Sequence, residues 1–215
     1  MEVISHRGYW VMPDEKNELV AFDRSFSLGF GTETDVRDHN GKLVICHDLP
    51  KGSPMQFGDY LASLARNAQR PLTQAINIKA DGLAEPLAKA MRGVKHPWFV
   101  FDMSIPDTLM QLKAGNPVFV RMSEYEPYQP AFEGKARGVW LDGFHARWFT
   151  VDTISQLLDK GLEVCVVSPE LHKRDDYAAF WKALKPLKNR DGLILCSDLP
   201  EDAAATLGLR YGREK

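Results

Sequence analysis

Short apolar, β-branched runs alternate along this chain with segments whose apolar residues recur at helical spacing, the pattern of a parallel sheet covered by helices. The strand-like runs are Glu2–Ser5, Thr32–Arg37, Gln74–Ile78, Trp98–Asp102, Val118–Arg121, Gly138–Leu141, Val164–Ser168 and Leu193–Cys196. Helical spacing marks Leu19–Leu28, Phe57–Asn67, Leu83–Met91, Ile105–Lys113, Val151–Lys160 and Asp176–Leu184. Asn40-Gly41 followed by the run Leu43–His47 reads as a β-hairpin, because Asn-Gly accommodates the positive φ angles of a tight reversal. Counting that hairpin with the second strand leaves eight strand positions, the number that closes a (β/α)8 barrel of the TIM type. An open doubly wound sheet is the competing arrangement. It lacks support here, because no Gly-x-Gly-x-x-Gly loop follows the first strand and Gly29-Phe30-Gly31 precedes a strand instead.

The chain has 215 residues, near the small end for such a barrel, so residues 1–215 are expected to form one α/β domain with little room for lids. Hydrophobic residues at 44% and charged residues at 26% are the mix of a globular chain. A formal net charge of -2 supplies no overall basic field, which argues against nucleic acid as a partner. No leader-like or membrane-spanning run is read in the sequence, and a cytoplasmic location is expected. Cys46, Cys165 and Cys196 sit in apolar runs without Cys-x-x-Cys spacing and read as reduced core residues.

In a barrel of this kind the loops at the carboxyl ends of the strands converge on one mouth, so polar residues there are the natural functional candidates. The first strand ends in Ser5-His6-Arg7-Gly8, which offers a titratable imidazole and a planar cation beside a flexible backbone. In Glu33-Thr34-Asp35 the two carboxylates project to the same side of a strand. Facing the interior, such a pair is costly without a cation, and its oxygens suit a hard divalent ion. The hairpin returns Cys46-His47-Asp48 toward the same mouth, with His39 left near the exposed turn. Arg121 and Asp142 each end an apolar strand run and are expected to contact substrate. Asp102, Glu124, Ser168, Glu170 and Asp198 are further strand-end candidates, while His172 beside Lys173-Arg174 reads as a solvated loop. Trp10, Tyr125 and Trp148 are placed to line an apolar wall.

The order of these motifs resembles the glycerophosphodiester phosphodiesterase family, within the phospholipase C-like phosphodiesterase superfamily. The residues that carry the resemblance are His6-Arg7-Gly8, then Asn17 through Ala21-Phe22, Gly29, Glu33-Thr34-Asp35, Asn40-Gly41 and His47-Asp48. It continues more weakly to Asp191-Gly192 and Ser197-Asp198-Leu199-Pro200. The resemblance implies hydrolysis of a small-molecule or phospholipid-derived phosphodiester, with His6 and His47 as the acid/base pair. It also implies Mg²⁺ or Ca²⁺, with Mn²⁺ admissible, on Glu33, Asp35 and the third-strand position Asn77, and Arg7 and Lys79 on the phosphate. Two positions depart from the family: Lys16 stands where an acidic ligand precedes Asn17, and Asn77 replaces an acid. The usual insertion after His47 is also missing, since Pro50–Pro71 holds room for one helix. Asn77 two residues before Lys79 is similar to the sphingomyelinase D group, which makes a sphingomyelinase D-like or lysophospholipase D-like activity one alternative. A non-catalytic phosphate-ester-binding barrel is another. A Schiff-base aldolase or isomerase using Lys79 leaves both histidines and the paired acids without a role.

Overall fold

Eight parallel strands wrap into a nearly closed barrel in the computed structural model, which describes residues 1–211. The strands are β1 (Glu2–His6), β2 (Gly31–His39), β4 (Gln74–Ile78), β5 (Trp98–Phe101), β6 (Phe119–Met122), β7 (Gly138–Leu141), β8 (Glu163–Val167) and β9 (Leu193–Ser197). A ninth, β3 (Lys42–Ile45), pairs antiparallel with the far end of β2, from Val36↔Ile45 to His39↔Lys42, with Asn40 at φ 51° and Gly41 at φ 74° making the reversal. Around the ring the order is β5, β4, β2, β1, β9, β8, β7, β6. The two ends meet through a single parallel bridge, Val100↔Val118, with the Val100 amide donating to the Pro117 carbonyl at 2.8 Å.

Registers between neighbouring strands decide what faces inward. His6 pairs with Glu33, and Asp35 pairs with Asn77, so these alternate positions share the interior face with Ile4 and Ala75 below them. Deeper in the barrel the interior is filled by Ile4, Ala75, Phe99, Phe101, Phe119, Trp140, Cys165, Val167, Ile194 and Cys196. Phe99 stacks on Phe119 with centroids 3.7 Å apart, and Phe101 on Trp140 at 3.8 Å. Such pairs contribute roughly 0.5–1.5 kcal/mol each beyond their burial. The opposite strand faces, among them Val36, Ile76, Val100, Val139, Val164 and Leu195, form a second core against the helices. This division accounts for the near-continuous apolar runs: parallel strands are buried on both faces.

Backbone crowding where strands approach is met by glycine. A Cβ on Gly31 would lie 2.1 Å from the Thr73 carbonyl oxygen, and one on Gly138 would lie 2.5 Å from the Glu163 carbonyl oxygen.

The helices are α1 (Leu19–Ser27), α2 (Phe57–Asn67), α3 (Ala84–Ala90), α4 (Ile105–Lys113), α5 (Val151–Asp159), α6 (Tyr177–Leu184) and α7 (Pro200–Leu207). Six occupy the segments expected from apolar spacing. The seventh was not expected there, because its alanine-rich body, Ala203–Ala205, gives little apolar contrast. Its punctuation is nonetheless in the sequence: Pro200 at the start, Glu201 and Asp202 in the first turn, and Gly208 at φ 68° closing it. Between β6 and β7 residues 123–137 hold only a 3₁₀ turn, Pro130–Phe132, in place of a helix. Among the described residues, no helix is long and apolar enough to cross a membrane.

Candidate functional site

The carboxyl ends of β1, β2 and β4 bring together His6, Arg7, Glu33, Asp35, Asn77 and Lys79. Glu33 and Asp35 are both sealed from solvent, at 1% and 0% exposure. Burial first, and then the neighbouring Asp35 charge, push the Glu33 carboxyl up to about 8, with Arg7, Lys79 and Asn77 relieving part of the rise. Asp35 is better served. Its Oδ2 lies 2.9 Å from Arg7 Nε and accepts from Asn17 Nδ2 at 2.8 Å, while Lys79 Nζ stands 3.5 Å from Oδ1.

His6 is held by Asp198, at the turn after β9. Burial lowers the imidazole below its ordinary value against the opposing pull of Asp198, so it is neutral. Burial pushes Asp198 up, but the hydrogen bonds from His6 and Trp10 and the nearby Lys16 charge outweigh it and hold the carboxyl below its ordinary value. His6 Nδ1 therefore donates to Asp198 Oδ1 at 2.8 Å, which leaves Nε2 as the lone-pair nitrogen, 3.8 Å from Glu33 Oε2. Trp10 Nε1 donates to the same Asp198 oxygen at 3.2 Å. Asp198 is in turn fixed by Glu170, whose Oε1 accepts from the Asp198 amide at 3.2 Å and from Ser197 Oγ at 2.5 Å.

His47 lies just past β3. The Cys46 amide bonds the Asp35 carbonyl at 3.0 Å, so the next residue stands beside the acidic pair's strand. Its side chain is 46% exposed, and Nδ1 is 2.8 Å from Asp48 Oδ1.

Arg121 is bonded to both Asp102 and Glu126, so its charge is matched inside the protein. Asp102 also takes Lys79 Nζ at 3.2 Å. His172, expected in a solvated loop, instead donates Nε2 to Asp142 Oδ1 at 2.6 Å, because the 3₁₀ turn after β8 (Pro169–His172) folds it back over the end of β7. Trp148 Nε1 bonds the Asp142 carbonyl at 2.6 Å, and Tyr125 meets His145 at 2.8 Å, so both aromatics border the Asp142 side.

Backbone strain gathers at this end of the molecule. Arg7 (φ 59°), Asn17 (φ 62°), Asp102 (φ 71°) and Lys173 (φ 60°) are non-glycine residues in left-handed conformations, at roughly 1 kcal/mol or more each. Asn17 gains from its position: its Oδ1 accepts from Thr34 Oγ1 at 3.0 Å while Nδ2 holds Asp35. Sequence reasoning noted Asn17 only as part of a motif and missed this bridging role.

Among the described residues, no three of His, Cys, Asp and Glu are grouped to hold a metal ion. The oxygens fit a hard cation on a different ground. Asn77 Oδ1 is buried without any hydrogen bond, and the paired position on the adjacent strand is Asp35. The buried Asp35 Oδ1 accepts no hydrogen bond and has only the Lys79 ion pair at 3.5 Å, with Glu33 two residues below it. A buried acceptor left unpaired costs about 1–3 kcal/mol, and a divalent ion accepts such oxygens as ligands. Lys16, where the resemblance places an acid, lies over the Trp10 ring at 4.3 Å and adds no ligand.

The barrel has a (β/α)8 fold that it shares with several solved structures. The chain is similar to the crystal structure of a glycerophosphodiester phosphodiesterase from Parabacteroides distasonis ATCC 8503, with a TM-score of 0.69 and 17% identity, covering 96% of each chain. It is similar also to a glycerophosphodiester phosphodiesterase from Agrobacterium tumefaciens str. C58, with a TM-score of 0.67 and 18% identity over 97% of this chain and 99% of the other. A Ca²⁺-dependent phosphatidylinositol-specific phospholipase C from Streptomyces antibioticus follows at a TM-score of 0.54 and 11% identity, over 94% and 95%. At these identities the structural likeness establishes the fold alone. No protein-family model matches the chain, and no curated protein matches it in sequence.

Proposed function

We propose that this chain is a phosphodiester hydrolase acting on a small-molecule or lipid-headgroup phosphodiester, with His6 and His47 as its proton-transfer groups and a divalent cation on Glu33, Asp35 and Asn77. The observation that carries this reading is the convergence of His6, the buried Glu33/Asp35 pair and the unpaired Asn77 Oδ1 on adjacent strands. The likeness in fold to glycerophosphodiester phosphodiesterases supports the reaction class. Mg²⁺, Ca²⁺ or Mn²⁺, when bound, supplies positive charge against a non-bridging phosphate oxygen.

The protein's own groups do the rest. Arg7 and Lys79 hold the phosphate from the two sides of Asp35. Neutral His6, fixed by Asp198, accepts a proton at Nε2 from the attacking hydroxyl, either water or a neighbouring hydroxyl of the substrate. His47, tied to Asp48, returns a proton to the departing alkoxide.

Hydrolysis of a chromogenic phosphodiester, with and without EDTA, tests this. The expected result is cation-stimulated turnover that falls by at least ~10²-fold in both His6→Ala and His47→Ala, in line with general acid–base contributions. Turnover insensitive to both substitutions sinks it.

One observation favours a second reading, a non-catalytic phosphate-ester-binding barrel: Asp35 already faces two cations of the protein, Arg7 and Lys79. Saturable binding of a phosphate ester without turnover, at every cation tried, selects that reading.

A further inference from the structure

Two cations of the protein converge on Asp35, and they meet it differently. Arg7 Nε, at 2.9 Å, and Asn17 Nδ2, at 2.8 Å, both engage Oδ2. Lys79 Nζ stands 3.5 Å from Oδ1, which accepts no hydrogen bond, and donates instead to Asp102 Oδ2 at 3.2 Å. A sealed carboxylate attracts an ammonium more strongly than a partly exposed one at equal distance, because less water screens the pair. The Asp35 side chain is 0% exposed and that of Asp102 is 20% exposed. On burial alone Lys79 belongs on Asp35, yet its hydrogen bond goes to Asp102.

The surroundings of Asp102 account for this. It follows β5 in a left-handed conformation, φ 71°, of the kind that persists only where neighbouring contacts fix the residue. Those contacts are two. Oδ2 takes Lys79 and Oδ1 takes Arg121, whose Nε is bonded in turn to Glu126. Arg121 thereby turns the carboxylate so that its second oxygen faces Lys79. The lysine is fixed at its other end, because its amide donates to the Val36 carbonyl at 3.0 Å. Charges thus alternate along the ends of β2, β4, β5 and β6, from Asp35 through Lys79, Asp102 and Arg121 to Glu126. In that row Asp102 is the group that draws Lys79 away from the buried acid.

Resting on the reading that a divalent cation sits on Glu33, Asp35 and Asn77, we propose that Asp102 is a positioning residue: it holds Lys79 off Asp35 and so keeps Asp35 Oδ1 open as a ligand. Without the Asp102 charge the ammonium closes the 3.5 Å gap, fills Oδ1 and competes with the cation.

Two measurements on the full chain test this. In metal-free protein, the NMR scalar coupling across the Lys79 Nζ hydrogen bond should reach the Asp102 carboxyl carbon in the wild type and the Asp35 carboxyl carbon in Asp102→Asn, since asparagine tolerates the left-handed backbone. A wild-type coupling to Asp35, or none to Asp35 in the variant, overturns the proposal. Mn²⁺ binding, read from the paramagnetic resonance of the unbound ion, is then compared in the wild type, Asp102→Asn, Lys79→Met and the double variant. Fixed charges act additively on the ion, so the field of Asp102 alone changes Mn²⁺ affinity by the same factor with and without Lys79. A lysine that moves breaks that additivity. Asp102→Asn is therefore expected to weaken Mn²⁺ at least about tenfold more in the wild-type background than beside Lys79→Met. Equal factors overturn the proposal. Arg121→Gln is expected to bind Mn²⁺ no more weakly than the wild type, and a loss matching that of Asp102→Asn overturns it too. Should Asp102→Asn fail to fold, Asp102→Gly, suited to the same φ, takes its place. A wild type that takes up no Mn²⁺ while the coupling transfers to Asp35 sinks the cation reading alone. Mn²⁺ uptake with equal factors sinks only the positioning role.

Discussion

With its carboxyl pushed up to about 8, Glu33 keeps in the folded protein a proton that the unfolded chain releases from about 4.5 upward. The contribution of Glu33 to stability is therefore greatest below about 4.5 and falls as pH rises toward 8, because this carboxyl holds more proton in the folded state than in the unfolded one across that window. Glu33→Gln removes the titration, so in EDTA its urea midpoint should gain on the wild type steadily between pH 5 and 8; parallel profiles would show the carboxyl to be ordinary. Individual residues were legible in the sequence where chemistry and spacing coincided. His6-Arg7 and the Glu33/Asp35 alternation announce themselves within a few positions. Partners supplied from afar did not: Asp198 holds His6 from 192 positions away, and Asp142 meets His172 from 30. Nothing local to His172-Lys173-Arg174 marks the first of them as turned inward, since basic neighbours usually signal solvent.

Strands and helices were easier to read than their ends, because periodicity reports which face is buried and says little about where pairing stops. Gly31 shows what the periodicity leaves unsaid. It opens β2 under the Thr73 carbonyl at a point where strands cross closely. Gly31→Ala should cost roughly 3 kcal/mol or more, because a backbone oxygen rather than a flexible side chain must give way. Gly134→Ala, in open space at φ 69°, should cost only about 1 kcal/mol. Denaturant melts of the two variants side by side test the contrast, and equal losses would contradict it. The hairpin was written in Asn40-Gly41, whereas the helix α7 was hidden by its small residues despite clear punctuation at both ends. Residues 123–137 gave no helical period, and none formed.

At the level of the molecule, eight strand positions in sequence predicted the ring, but not how completely it shuts. β1 and β9 share four register pairs, whereas β5 and β6 share one bridge. Hydrogen exchange should report the difference: the Val100 amide is expected to exchange at least about tenfold faster than the amides of β1 and β9, a gap of about 1.4 kcal/mol in opening free energy. Uniform protection around the ring would argue for full closure. At the mouth, the same junction is spanned by Arg121, on β6, gripping Asp102, just past β5. The molecule is thus a bracelet whose clasp is electrostatic and sits beside the mouth at which we propose a phosphate ester binds. On that proposal, an anion drawing Arg121 away from Asp102 would loosen the clasp, tying occupancy of the mouth to the tightness of the hoop.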